Sequence, residues 1–144
     1  MNSEQNKQLI RRILTEGMAP GNMDVIDEAV ASGYVNYDFP MPVPGREGFK
    51  QALAMFNTAF PDGEIVIEDQ IAEGNKVVTR GSWNGTHSGP FMGVAPTGKR
   101  ISLRFIDIWT VKEGRGHENW VQMDLLGLMQ QMGAVPAPEE TSSS

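Results

Sequence analysis

One carboxylate stands out by its surroundings. Asp107 lies in the middle of residues 101–111, ISLRFIDIWTV, a run that otherwise alternates like a strand. By the two-residue period of a strand, Leu103, Phe105, Asp107 and Trp109 share one face. A carboxylate between two aromatics loses hydration, and desolvation raises its pKa. Such a group serves as a general acid, a general base or a neutral hydrogen-bond donor to an oxyanion. That face therefore reads as the lining of a cavity rather than a plain core. The competing reading is a structural carboxylate paired with Arg80.

Other candidates cluster around it. The same period puts His117, Asn119, Val121 and Met123 on one face of residues 115–123. Asn36 and Asp38 share a face of a short strand over residues 34–39, although Asn and Asp beside a proline-rich loop are also ordinary turn formers. Arg80 suits an anion or Asp107, or else is a strand arginine whose head group reaches water. His87 falls in a glycine-rich loop that would rim the cavity, and a histidine titrates near neutrality. Asp124 directly precedes LLGLMQQ, so a helix cap explains it without chemistry.

The elements that must position these residues follow from periodicity. Ser3 caps a helix running to about Gly17, with Leu9, Ile10, Ile13 and Leu14 on one face. A short second helix runs from Met23 to about Ala31, with Asn22 as its cap. Pro40, Pro42, Pro44 and Gly45 form a stiff loop. Residues 46–60 form a third helix, with Phe49, Leu53, Phe56 and Phe60 at helical spacing. The period then changes. Residues 64–72 and 76–84 are strands, 85–98 a glycine-rich loop, and 99–111 with 115–123 a hairpin around Lys112-Glu113-Gly114. A last helix spans 125–132 and ends at Gly133. Helices first and an antiparallel sheet after give an α+β fold, with N-terminal helices packed on a curved sheet. Residues 1–133 make one domain, and residues 134–144 a disordered tail.

Composition limits the chemistry. The 144 residues contain no cysteine and two histidines, so thiolate chemistry, cysteine-built zinc sites and a three-histidine metal site are excluded. A net charge of −6 argues against a nucleic-acid surface, which needs clustered Lys and Arg. The polar N-terminus has no signal-peptide core, and no run approaches a membrane span. The expectation is a cytoplasmic protein with no metal and no cofactor. Its nine methionines suit an adaptable apolar cavity or simple core filling.

Several short motifs carry a resemblance. They are Gly85-Thr86-His87 with Gly89 and Gly93, Pro96-Thr97-Gly98-Lys99, Glu118-Asn119-Trp120 and Asp124-Leu125-Leu126, joined by Tyr34-Val35-Asn36 and Pro44-Gly45. With the order of elements, they resemble the nuclear transport factor 2-like superfamily of cone-shaped α+β domains. Within it the chain is most similar to the SnoaL-like polyketide cyclase (ester cyclase) family, over residues 6–133. The resemblance implies a cavity enclosed by the helices and sheet, a hydrophobic small-molecule ligand, and a homodimer or higher homo-oligomer.

The resemblance also suggests roles. It makes Asn36 a pocket amide and puts Asp38 near the general base of the ketosteroid isomerases, whose oxyanion-binding Asp matches Asp107. The cyclases carry a general-acid Asp where this chain has Val121, and the related epoxide hydrolases carry an Asp there too and a second one where this chain has Ser82. Epoxide hydrolysis is therefore disfavoured. The expected catalytic residues are Asp107 and Asp38. The expected substrate-binding residues are Asn36, Arg80, Asn119, Val121, Phe105, Trp109 and His87. The expected function is cofactor-free proton transfer on a hydrophobic carbonyl compound, of isomerase or cyclase type. The alternative is a non-catalytic small-molecule-binding domain of the same fold.

Overall fold

The computed structural model describes residues 2–136. Residues 137–144, most of the tail expected to be disordered, lie outside the described residues. Helix α1 spans Ser3–Arg12 and continues as a π-helical turn, Ile13–Gly17. Its cap is Asn2 rather than Ser3. The Asn2 side chain accepts from the Gln5 N–H at 2.8 Å while the Gln5 side chain accepts from the Asn2 N–H at 3.0 Å. This reciprocal pair satisfies two backbone donors that a helix start leaves open. Helix α2 spans Met23–Ala29. Asn22 precedes it without capping it, because its side-chain amide donates to the Glu16 carbonyl instead.

Strand β1 is Val30–Asn36, earlier than the expected 34–39. It stops at Asn36 because that side chain accepts from the backbone N–H of Asp38 and of Phe39, turning the chain out of the sheet. Helix α3 spans Gly45–Ala59, and strands β2 (Glu64–Glu73), β3 (Lys76–Thr86), β4 (Arg100–Lys112) and β5 (Arg115–Met123) follow. Helix α4 spans Leu125–Gln131, and Asp124 caps it through the Gly127 N–H at 2.9 Å.

The sheet order is β1-β5-β4-β3-β2, with β1 parallel to β5 and the other neighbours antiparallel. This is the α+β fold expected, a mixed curved sheet under N-terminal helices. Along β4, Ile101, Leu103, Phe105, Asp107 and Trp109 are buried while Ile106 and Ile108 face outward. The inward face meets two apolar clusters. One gathers Ile10, Ile13, Ile26, Val30, Tyr34 and Trp109 against the helices. The other gathers Phe60, Trp83, Phe91, Leu103 and Leu128 at the α4 end. No helix among the described residues is long and apolar enough to cross a membrane.

Candidate functional site

Between the two clusters lies a cavity of about 110 Å³, walled by α3, β1, β3, β4 and β5. Its surface is almost wholly apolar. Tyr34, Asn36, Asp107 and Asn119 bring polar atoms to it, and Phe105, Trp109 and Val121 also line it.

Asp107 is 3% exposed. Its Oδ2 accepts from the Trp109 indole N–H at 3.1 Å, whereas its Oδ1 is buried with no partner among the described residues. Burial pushes this carboxyl up to about 7, against the smaller downward pull of the Trp109 and Thr79 N–H groups. The indole is itself held tightly. Trp109 stacks on Tyr34 with ring centroids 5.3 Å apart, and a Cβ added to Gly116 would lie 2.7 Å from its ring. Only glycine at position 116 leaves the indole this place.

Asn119 donates its amide to the Tyr34 hydroxyl at 3.2 Å, and its Oδ1 is a second buried acceptor with no partner among the described residues. Burial pushes the Tyr34 phenol well up, the amides of Asn119 and Asn36 pulling against it. It therefore stays neutral across the physiological range and keeps its own O–H to donate. Tyr34 also lines the cavity, although it is not among the residues expected from the sequence. The signal was available, since Tyr34 lies two residues before Asn36 on the same strand face.

Three of the expected residues lie elsewhere. Arg80 is on the outer sheet face, paired across the strands with Ile106, and its Nε donates to Asp69 at 2.8 Å. It does not partner Asp107. Asp38 lies beyond the end of β1 and is exposed, where its carboxylate accepts from the Val121 N–H at 2.8 Å. It extends the β1 edge rather than entering the cavity. His87 is fully buried but belongs to the second cluster, stacked on Phe60, with its Nδ1 accepting from the Thr97 N–H at 3.3 Å. His117 also leaves its expected face. The β4–β5 register shifts between Thr110 and Val111, so His117 is the extra residue of a bulge. Among the described residues no three His, Cys, Asp or Glu side chains converge as a metal site.

The family model of SnoaL-like polyketide cyclases matches residues 8–132. Aklanonic acid methyl ester cyclase DnrD of Streptomyces peucetius is 29% identical over 138 residues, covering 91% of this chain and 93% of that relative. TsrD of Streptomyces laurentii superposes with a TM-score of 0.86 at 28% identity, covering 94% of this chain and 99% of its own. A Jannaschia sp. CCS1 protein assigned to the SnoaL-like polyketide cyclases gives a TM-score of 0.82 at 29% identity, covering 93% and 95%.

Proposed function

This chain belongs to the SnoaL-like polyketide cyclase family, and we propose that it acts by proton transfer on a small, apolar, carbonyl-bearing molecule. Isomerisation, enolisation and ring closure of such a compound all begin with the same step, movement of a proton beside the carbonyl. The observation that carries this reading is Asp107, buried in an apolar cavity with one oxygen tied and the other free.

The tie decides where the proton sits. Oδ2 accepts from the indole N–H, so the proton of the neutral acid belongs on Oδ1. From there it donates to a substrate carbonyl oxygen as negative charge develops. With a pKa near 7 the ionised form is also present at neutral pH, and Oδ1 then takes a proton from the carbon beside the carbonyl. The Tyr34 hydroxyl supplies a second donor for the oxyanion, and Asn36 and Asn119 orient the substrate.

Exchange of the methyl hydrogens of acetophenone into deuterated water, followed by NMR, tests this reading. Catalysis about 10²–10⁴-fold above buffer, lost in Asp107→Asn, is the expected result. Val121 favours a second reading, a binding domain without turnover. It lines the cavity directly across from Asp107, where the cyclases resembling this chain carry an acid. Saturable binding of acetophenone with no exchange above buffer would select it. Homodimerisation through the outer sheet face belongs to the same proposal. The exposed Ile106 and Ile108 support it, and sedimentation of Ile106→Glu against the unaltered chain tests it.

A further inference from the structure

Strand β1 ends before the strand beside it does. Asn36 is its last residue and pairs with Asn119, whereas β5 runs on to Met123. From Trp120 to Met123, β5 therefore has β4 on one side and no strand on the other. Val121 and Met123 turn inward along this open edge and line the cavity, and Ala52 and Phe56 line it from α3. Residues 37–44, the link from β1 to α3, cross this gap and bring Phe39 and Met41 to the cavity. Both side chains are half-buried, with solvent on one side and the cavity on the other.

This strap is fixed at its ends and loose between them. At the near end, the Tyr37 N–H donates to the Asn119 carbonyl at 3.0 Å, and Tyr37 stacks on Trp120 with ring centroids 4.9 Å apart. The Asp38 carboxylate accepts from the Val121 N–H at 2.8 Å, on the open edge of β5. At the far end, the Val43 carbonyl lies so close against Gly48 that position 48 has no room for a Cβ. Between these ends, Pro40 and Pro42 have no N–H to give, and the N–H groups of Met41 and Val43 donate to nothing among the described residues. The contact of Phe39 with Phe56, ring centroids 5.8 Å apart, holds the middle. Three prolines keep the strap stiff, so it moves as one piece about its ends. Gly45, at φ +78°, supplies the backbone freedom at one of them.

The loop from β3 to β4 is built the opposite way. The His87 N–H donates to the Lys99 carbonyl, the Gly98 N–H returns to His87, and the Ser88 and Gly89 N–H groups donate to Ala59. No residue from 84 to 102 lines the cavity. That loop covers the second cluster, through Phe91 and Val94, and leaves the strap as the weaker cover of the cavity.

We propose that residues 37–44 are the door of the cavity, hinged at Tyr37 and Gly45 and latched by the Asp38 carboxylate on the Val121 N–H. Opening withdraws Phe39 and Met41 and lets water reach Val121 and its cross-strand partner Asp107. This holds whether the cavity turns a ligand over or only binds one.

Hydrogen exchange of the Trp109 indole N–H, followed by NMR on the full chain at one fixed pH, tests it. That N–H is buried against Asp107 and exchanges only when water reaches the cavity. Its signal is the one lost in Trp109→Phe. Removing the latch in Asp38→Ala should speed exchange about fivefold, the worth of one hydrogen bond. Gly48→Ala pushes the Val43 carbonyl off α3 at the other end and should speed exchange at least as much. If that variant does not fold, Asp38→Ala decides alone. Asp124→Ala removes a helix cap of similar worth on α4, and exchange there should change by less than about twofold. Equal acceleration in Asp124→Ala would mean that the indole exchanges by unfolding of the whole chain, and the proposal falls. It falls equally if Asp38→Ala does not speed exchange. Acetophenone should enter and leave about fivefold faster in Asp38→Ala at unchanged affinity, because the latch touches no ligand. Ligand exchange no faster than in the unaltered chain overturns the strap as the ligand's door, even where water passes through it.

Discussion

Replacing Asp107 with Asn should make the protein more stable above neutral pH and inactive at once. The folded carboxyl titrates at about 7 against an ordinary value of 3.8, and each tenfold in proton affinity is ~1.4 kcal/mol. Ionising Asp107 therefore costs the folded state about 4 kcal/mol relative to the unfolded chain. The sign follows from proton counts. Below pH 3.8 both states hold the proton and there is no cost. As pH rises toward 7 the unfolded chain has released it and the folded chain has not, so stability falls. Above 7 the loss is complete. Asparagine keeps the shape, and its oxygen still accepts from the Trp109 indole, but it never ionises. Its buried amide hydrogens cost about 1–3 kcal/mol at every pH if they find no partner. Urea unfolding at pH 4 and pH 8.5 isolates the titration. The stability of Asp107→Asn minus that of the unaltered chain should grow by about 4 kcal/mol between the two. The subtraction cancels Asp62 and Glu118, whose carboxyls are lowered and contribute with the opposite sign. A difference that stays constant within about 0.5 kcal/mol would mean that Asp107 ionises without cost, and the proton-transfer site would have no physical basis.

Other substitutions probe the same geometry. Trp109→Phe keeps a ring but removes the donor to Oδ2, so the midpoint of the Asp107 titration, read by carboxyl ¹³C NMR, should move upward by about one pH unit or more. Val121→Asp sets a second carboxylate directly across from the first, so it should raise the Asp107 midpoint further and lower stability at pH 8.5 more than at pH 4. Asp38→Ala should cost about 1 kcal/mol in urea unfolding, through the lost bond to the Val121 N–H, with acetophenone affinity changed less than about twofold. Asp124→Ala should likewise cost about 1 kcal/mol by loss of its helix cap, with ligand affinity unaffected.

Much of this was legible because strands announce their faces. Leu103, Phe105, Asp107 and Trp109 alternate with polar or branched residues, and the structure keeps that phase through β4. Arg80 is harder to place because β3 has two adjacent valines after Lys76 and carries two glycines, which blurs its alternation. The buried positions are Val77, Thr79, Gly81, Trp83 and Gly85, one step out of phase with Arg80. Asp38 differs for another reason: the two-residue period ends at Asn36, where the chain turns out of the sheet. His87 depends on contacts no local pattern carries. Its loop folds against the end of α3, where the Ser88 and Gly89 N–H groups donate to the Ala59 carbonyl and a Cβ on Gly89 would lie 2.5 Å from the Thr58 oxygen. The bulge at His117 is equally invisible locally, since it is defined by the partner strand.

The parallel pairing of β1 with β5 joins the first quarter of the chain to the last. Val35 faces Glu118, and the Asn119–Tyr34 hydrogen bond closes a loop of 85 residues. The β2–β3 and β4–β5 hairpins form across short turns, whereas this pairing must wait for a long closure whose entropy cost precedes any contact. The cavity is thus among the last features to exist as the chain folds. A ligand bound between Asp107 and Asn119 has nothing to hold until folding is nearly done. It should leave the refolding rate unchanged and slow unfolding instead, lengthening the lifetime of the native protein without hastening its birth.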